Sequence, residues 1–221
     1  MIASLTIKIC GLSTPDTLQA ALDAGADMVG FVFFAPSPRN ISFDLARGLG
    51  SLAKSEASKV ALSVDADDVL MEGIVGSLQP DILQLHGKET PQRMAALKAR
   101  YGLPLMKAIH VSEAADLAAL DEYIDVADRI LFDARPPKGA VLPGGNGAAF
   151  DWTILHGLNL QKPWMLSGGL DVFNVAQAVH ITHARGVDVS SGVESAPGVK
   201  DADLIRKFVL AARTAAAHVF E

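Results

Sequence analysis

Eight times along the chain, a short run of β-branched and other apolar residues gives way to a longer segment rich in alanine and leucine. That alternation dictates parallel strands joined by helical crossovers, because neighbouring parallel strands cannot be linked by a tight turn. Leu5–Cys10, Met28–Phe33, Lys59–Val64, Ile82–Leu85, Leu105–Ile109, Arg129–Asp133, Trp164–Leu166 and Val187–Ser190 read as strands. Pro15–Ala24, Phe43–Lys54, Asp67–Ser77, Pro91–Tyr101, Glu113–Val126, Asp151–Leu155, Val172–His180 and Ala202–His218 read as helices. Helix starts carry caps at Ser13-Thr14-Pro15-Asp16, Thr90-Pro91 and Ser112-Glu113, and Gly25, Gly102 and Gly186 are placed to end helices. Units of about 28 residues suit a closed (β/α)8 TIM barrel. An open doubly wound sheet is the alternative, but no GxGxxG follows the first strand.

Size and charge narrow the function. A chain of 221 residues with 50% hydrophobic content suits one barrel domain spanning 1–221. No apolar run reaches the roughly 18 residues of a membrane span, and Met1–Thr6 lacks the features of a secretory signal. One cysteine excludes an internal disulfide framework and fits a reducing, cytoplasmic setting. The formal charge of −6 argues against nucleic-acid or anionic-membrane binding. It leaves room for an anionic small molecule, since site electrostatics are local. Monomer and homodimer both fit.

Two glycine-rich turns stand out. Ser167-Gly168-Gly169 follows the seventh strand, and Ser190-Ser191-Gly192 follows the eighth. Small residues bare their backbone N–H groups, and a following helix would add positive character, so each turn could hold an anion. Either turn alone is equally a simple chain reversal; the pair points to one phosphate held between them. A long loop, 134–147, lies between the sixth strand and its helix and reads as a cover over the site or as a plain surface loop.

Polar residues gather at the strand ends, among them Cys10, Asp65, His86, His110, Asp133 and Asp188. Asp65 reads as a helix cap, and His110 as a rim residue making a hydrogen bond. His86 is balanced between a substrate contact and a structural hydrogen bond. Cys10 is a small buried hydrophobe by default, or a base or nucleophile if its pKa is lowered. Asp133 shares a face with Leu131; its carboxyl is a general acid, or a partner of Arg135, or a cap of its own loop. Lys8, on Cys10's face, should meet Asp188 across the seam between strands one and eight, which makes Asp188 structural first and a sugar ligand second. Arg39, on a proline-stiffened loop, suits a carboxylate or phosphate, or is simply solvated.

Taken together, Lys8-Ile9-Cys10-Gly11, Gly30–Phe33 with Ser37-Pro38-Arg39, Gln84-Leu85-His86-Gly87, Leu131-Phe132-Asp133, Pro143–Gly147 with Phe150-Asp151-Trp152, Leu166–Leu170 and Gly186–Glu194 resemble the phosphoribosylanthranilate isomerase family. The similarity runs along essentially the whole chain. It implies a (β/α)8 barrel with no metal or organic cofactor, acting in tryptophan biosynthesis on a phosphorylated small molecule by an Amadori rearrangement. By the same resemblance, Asp133 is the general acid and Cys10 the general base. Arg39 faces the anthranilate carboxylate, and Ser167, Gly168, Gly169, Ser190, Ser191 and Gly192 hold the phosphate. Asn146 departs from the threonine or serine common in the family's flexible loop. A metal-dependent epimerase, a synthase using Lys107, and a non-catalytic phosphate binder are the rival readings.

Overall fold

The computed structural model describes residues 5–135, 139, 144–145, 147 and 149–220. Eight strands, β1 (Thr6–Cys10), β2 (Met28–Phe33), β3 (Ser58–Ser63), β4 (Ile82–Leu85), β5 (Leu105–Val111), β6 (Arg129–Ala134), β7 (Trp164–Leu166) and β8 (Gly186–Val189), close into a barrel in sequence order. The seam is the parallel pairing of β1 with β8, in which Lys8 lies opposite Asp188. Closure removes the sheet edges and rules out the open doubly wound alternative.

Alternation sorts each strand. Met28, Val60, Ile82, Met106, Ala108, Leu131 and Met165 form a separate cluster that plugs the barrel's interior. Residues one position away, such as Val29, Leu83, Ile109, Ile130 and Leu166, belong to the larger core between sheet and helices. Two residues further along the inward faces stand the polar side chains of the mouth.

The outer layer has α1 (Pro15–Asp23), α2 (Phe43–Leu52), α3 (Asp68–Leu78), α4 (Pro91–Tyr101), α5 (Leu120–Tyr123), α6 (Val175–Thr182) and α7 (Ala202–Val219). Thr14, Ser42, Asp67, Thr90 and Asp201 cap five of them through their side chains. The cap of α3 is Asp67, not Asp65. Asp65 instead takes a left-handed backbone (φ 48°) and accepts the Lys88 amide at 2.6 Å.

Three helices fall short of the sequence expectation. The Glu113–Val126 segment is a 3-10 stretch, Ala114–Ala119, followed by the single turn of α5. There the Asp116 carboxylate folds back onto the amides of Ser112 and Glu113, at 2.7 and 3.1 Å, and tightens the turn. The Asp151–Leu155 segment is a 3-10 turn over Trp152–Leu155. The seventh helix starts at Val175 rather than Val172, because Asp171 and Asn174 cross-bond each other's amides in a preceding turn. Gly186 does not end a helix: α6 stops at left-handed His183 (φ 53°), and Gly186 opens β8, where a Cβ would press to 2.8 Å on Met165. Among the described residues, no helix is long and apolar enough to cross a membrane.

Candidate active site

A cleft opens at the carboxyl ends of the strands, with about 780 Å³ of empty space counting the part open to solvent. Cys10, Arg39, His86, Asp133, Ser167, Gly168, Gly169, Asp188, Ser190 and Ser191 all line it. Gly192 lies just behind Ser191, where a Cβ would strike the Leu170 carbonyl oxygen at 1.9 Å. That close approach explains the residue choice: the turn passes against its neighbour without room for a side chain.

Cys10 sits at the end of β1 with its sulfur turned into the cleft and nearly buried, at 4% exposure. Its room comes from Gly30 on β2, where a Cβ would lie 2.8 Å from Sγ. Burial pushes the thiol's pKa up, the Lys8 ammonium pulls it back, and the net direction is upward. The lowered thiol pKa that the sequence left open is therefore absent. Below it, Lys8 Nζ donates to Asp188 Oδ1 at 2.9 Å, both side chains almost wholly buried. Burial alone would lower Lys8, but Asp188 and Cys10 outweigh it and its pKa is pushed up to about 12. Ser167 Oγ donates to the other Asp188 oxygen at 3.2 Å, so both carboxylate oxygens are engaged.

Across the mouth, Asp133 on β6 meets His86 at the end of β4, with Oδ2 3.1 Å from Nε2. Its Oδ1 accepts the Ala134 amide at 3.0 Å, while Arg135 pairs with Asp116. His86 Nδ1 lies 3.1 Å from the side-chain nitrogen of Gln84, which is fully buried one layer down. The Gln84 amide thus sets the tautomer of His86: donating, it leaves the ring proton on Nε2; accepting, it draws that proton to Nδ1. His110, on β5 directly opposite Asp133, packs edge-on against His86 with ring centroids 5.2 Å apart. Burial, then the neighbouring His86, lowers its pKa. Gly144 lies over the acid: a Cβ there would sit 2.6 Å from His86 Nε2 and 2.7 Å from Asp133 Oδ2. The 134–147 loop thus reaches the acid with its described residues; Asn146 and Pro143 lie outside them.

Arg39 lines the cleft but is not free. Its Nε and Nη2 make a bidentate pair with Glu194 at 2.7 and 2.8 Å, and Nη2 also reaches the Gly145 carbonyl at 3.3 Å. Lys200 Nζ holds Glu194 from the other side at 2.6 Å and donates to the Ser190 carbonyl and hydroxyl at 2.9 and 3.1 Å. Ser190 Oγ in turn donates to the Cys10 carbonyl at 3.1 Å. Burial opposes ionisation of Glu194, but Arg39 and Lys200 prevail and lower its pKa. Sequence reasoning missed both Glu194 and Lys200; Glu194 closes one of the matching stretches, whereas nothing local distinguishes Lys200.

The glycine turns need one correction. Neither runs straight into a helix. Gly168 (φ 86°) and Gly169 (φ 64°) lead into the Asp171–Asn174 turn, and Ser190–Gly192 leads into a hairpin of β9 (Glu194–Ala196) and β10 (Val199–Lys200) before α7. An anion there would meet backbone N–H groups, with the Lys200 ammonium behind Ser190, rather than a helix N-terminus. Gly168 has a packing reason too, since a Cβ would lie 2.4 Å from the Ala134 nitrogen. The synthase rival loses its lysine: Lys107 alternates away from the inward Met106 and Ala108 and pairs with Glu89 at 2.8 Å near the Tyr123 ring.

A closed parallel barrel with its polar cleft at the strand carboxyl ends is a (β/α)8 barrel laid out as barrel enzymes are. The family model described as N-(5'phosphoribosyl)anthranilate (PRA) isomerase matches residues 7–211. An N-(5'-phosphoribosyl)anthranilate isomerase of Bradyrhizobium sp. (strain ORS 278) is 63% identical over 212 residues, covering 96% of this chain and 97% of its own. The phosphoribosyl anthranilate isomerase of Thermotoga maritima superposes with a TM-score of 0.85 at 31% identity, covering 95% of this chain and 99% of its own. Another structure, of phosphoribosyl anthranilate isomerase in complex with reduced 1-(o-carboxyphenylamino)-1-deoxyribulose 5-phosphate, superposes at 0.80 with 30% identity over 95% of this chain and 99% of its own. The chain belongs to the N-(5'-phosphoribosyl)anthranilate isomerase family and is an isomerase of tryptophan biosynthesis.

Proposed function

We propose that the cleft carries out the Amadori rearrangement of N-(5'-phosphoribosyl)anthranilate to 1-(2-carboxyphenylamino)-1-deoxyribulose 5-phosphate, with Asp133 as general acid and Cys10 as general base. The observation that carries the reading is that these two groups line one cleft from β6 and β1, beside both glycine turns. As general acid, Asp133 gives the proton of its carboxyl group to the ribose ring oxygen, with His86 at 3.1 Å orienting that group. The C1–O bond breaks, the anilino nitrogen supplies its electron pair, and an open-chain iminium forms. Cys10 then takes the proton from C2; that C–H pair becomes the C1=C2 bond and quenches the iminium. The resulting enolamine tautomerises to the aminoketose. General acid–base help at each end contributes roughly 10²–10⁴-fold.

Binding follows the two anionic ends of the substrate. The phosphate lies at Ser167, Gly168, Gly169, Ser190, Ser191 and Gly192. The anthranilate carboxylate faces Arg39, through the Nη1 nitrogen that the Glu194 pair leaves over. Asp188 holds Lys8 and Ser167 in place first and meets the sugar second; His86 serves both Asp133 and the substrate. The thiol's raised pKa means that substrate must assist its ionisation, and the iminium charge developing beside it does so. The reading also takes residues 1–221 as one domain working in the cytoplasm without nucleic acid, membrane or cofactor, as a monomer or a homodimer; a Thermotoga maritima relative is described as dimeric.

The test is a fluorescence assay of the purified protein with freshly generated phosphoribosylanthranilate. Turnover is expected in wild type. Cys10→Ser should lose most of kcat while binding a reduced product analogue as wild type does. No turnover by the wild-type protein would overturn the assignment.

A further inference from the structure

We propose that His86, His110 and Asp133 form a binding site for one divalent transition-metal ion of the zinc class, and that an ion there blocks the acid. The three residues stand at the carboxyl ends of the consecutive strands β4, β5 and β6; His86 and Asp133 line the cleft, and His110 lines the pocket that adjoins it. Each offers one ligand atom, and these atoms all lie within 4.8 Å of one another. His86 Nε2 and Asp133 Oδ2, at 3.1 Å, already stand near the roughly 3.3 Å edge of a tetrahedron with metal–ligand bonds of about 2.0–2.1 Å. His110 Nδ1 is buried and has no hydrogen-bond partner among the described residues. A buried ring nitrogen with nothing to bond is a ligand atom without a ligand.

Two imidazoles and one carboxylate are the donor set that d-block cations prefer over magnesium or calcium. Three protein ligands leave a fourth position for a water, and Gly144 passes close over two of the ligand atoms, where a side chain would crowd an ion. The second shell is present as well: the Ala134 amide holds Asp133 Oδ1, and Gln84, whose buried Oε1 makes no hydrogen bond among the described residues, can turn its amide to accept the Nδ1 proton that a metal on Nε2 requires. An ion there would occupy His86 Nε2 and Asp133 Oδ2 in place of a proton, so a metallated Asp133 has no proton to give. The metal is therefore an inhibitor that competes for the acid, not a cofactor. Only this inhibitory half rests on the proposed role of Asp133; the site itself does not.

Isothermal calorimetry with Zn²⁺ and visible absorption of added Co²⁺ read the site without any turnover. Wild type should bind one ion per chain and give the absorption bands of tetrahedral cobalt. His110→Ala should weaken binding by roughly 100-fold or more while keeping metal-free turnover. The exposed pair His156 and His183, with rings 6.4 Å apart, is the control, and His183→Ala should change nothing. Zn²⁺ should inhibit wild type reversibly, with a chelator restoring activity, and should inhibit His110→Ala far less. Wild type that binds no ion, or His110→Ala that binds as tightly as wild type, would overturn the site. Binding without inhibition would overturn the block on Asp133.

Discussion

The two sides of the cleft are built on opposite principles. On the β4–β6 side, Asp133 faces an imidazole and a backbone amide, and its neighbour His110 is a second imidazole. Among the described residues, no lysine or arginine side chain touches Asp133. On the β1–β8 side, Cys10 stands over the buried Lys8–Asp188 pair and beside Ser190, which Lys200 holds. Charges there are locked in place and the thiol is held protonated. One side sets the acid among imidazoles and a backbone amide. The other waits for the charge that ring opening creates, and that order of events is the one the rearrangement requires.

The sharpest way to break the contrast is Asp133→Asn, which keeps shape and removes the exchangeable proton. Turnover should fall by about 10²–10⁴-fold with circular dichroism unchanged; activity above a tenth of wild type would mean the acid lies elsewhere. Next comes Lys8→Met, aimed at the rigid side. It leaves Asp188 buried without its cation, and denaturant unfolding should show a loss of about 3–5 kcal/mol. An unchanged midpoint would show that the pair is dispensable.

Gly144→Ala probes the acid side more gently. Its Cβ would sit 2.6 Å from His86 Nε2, so the loop must lift off the acid, and kcat/KM should drop roughly tenfold with little change in stability. A variant as active as wild type would show that this approach plays no part in catalysis.

The smallest effect is a pH dependence of stability. Cys10 and Lys8 both have folded pKa values above their ordinary ones, 9.0 for the thiol and 10.5, raised to about 12, for the lysine. Their contribution is complete below those ordinary values and drains away as pH climbs towards 12. Glu194 runs the other way: its lowered pKa contributes above about 4.5 and is lost on acidification. Thermal unfolding should therefore weaken at both extremes, and Cys10→Ser should flatten the alkaline limb alone. An alkaline limb identical in that variant would remove the thiol from the account.

What the sequence disclosed depended on distance along the chain and on periodicity. Period-two alternation was enough to put Lys8 under Cys10 and to pair it with Asp188 across 180 residues, because barrel closure brings the first strand to the last. It was not enough for Arg39. Its partner Glu194 lies 155 residues away on a hairpin that interrupts the strand–helix rhythm, and no local pattern announces that contact. The fifth helix misled for a different reason. Its alanines have helical propensity, but Asp116 is drawn back to the Ser112 and Glu113 amides, a local side-chain–backbone geometry that propensity does not encode. Asp65 and Asp67 are the same residue type two places apart, and only the backbone decides which one caps.

The most direct trial of an acid and a base facing each other across one cleft is a paired measurement on Asp133→Asn and Cys10→Ser. It takes kcat by fluorescence on phosphoribosylanthranilate and affinity for the reduced product analogue by calorimetry. The account predicts that kcat collapses in both variants while affinity stays close to that of wild type. Turnover within about tenfold of wild type in either variant, or losses of affinity as large as the losses of rate, would contradict it.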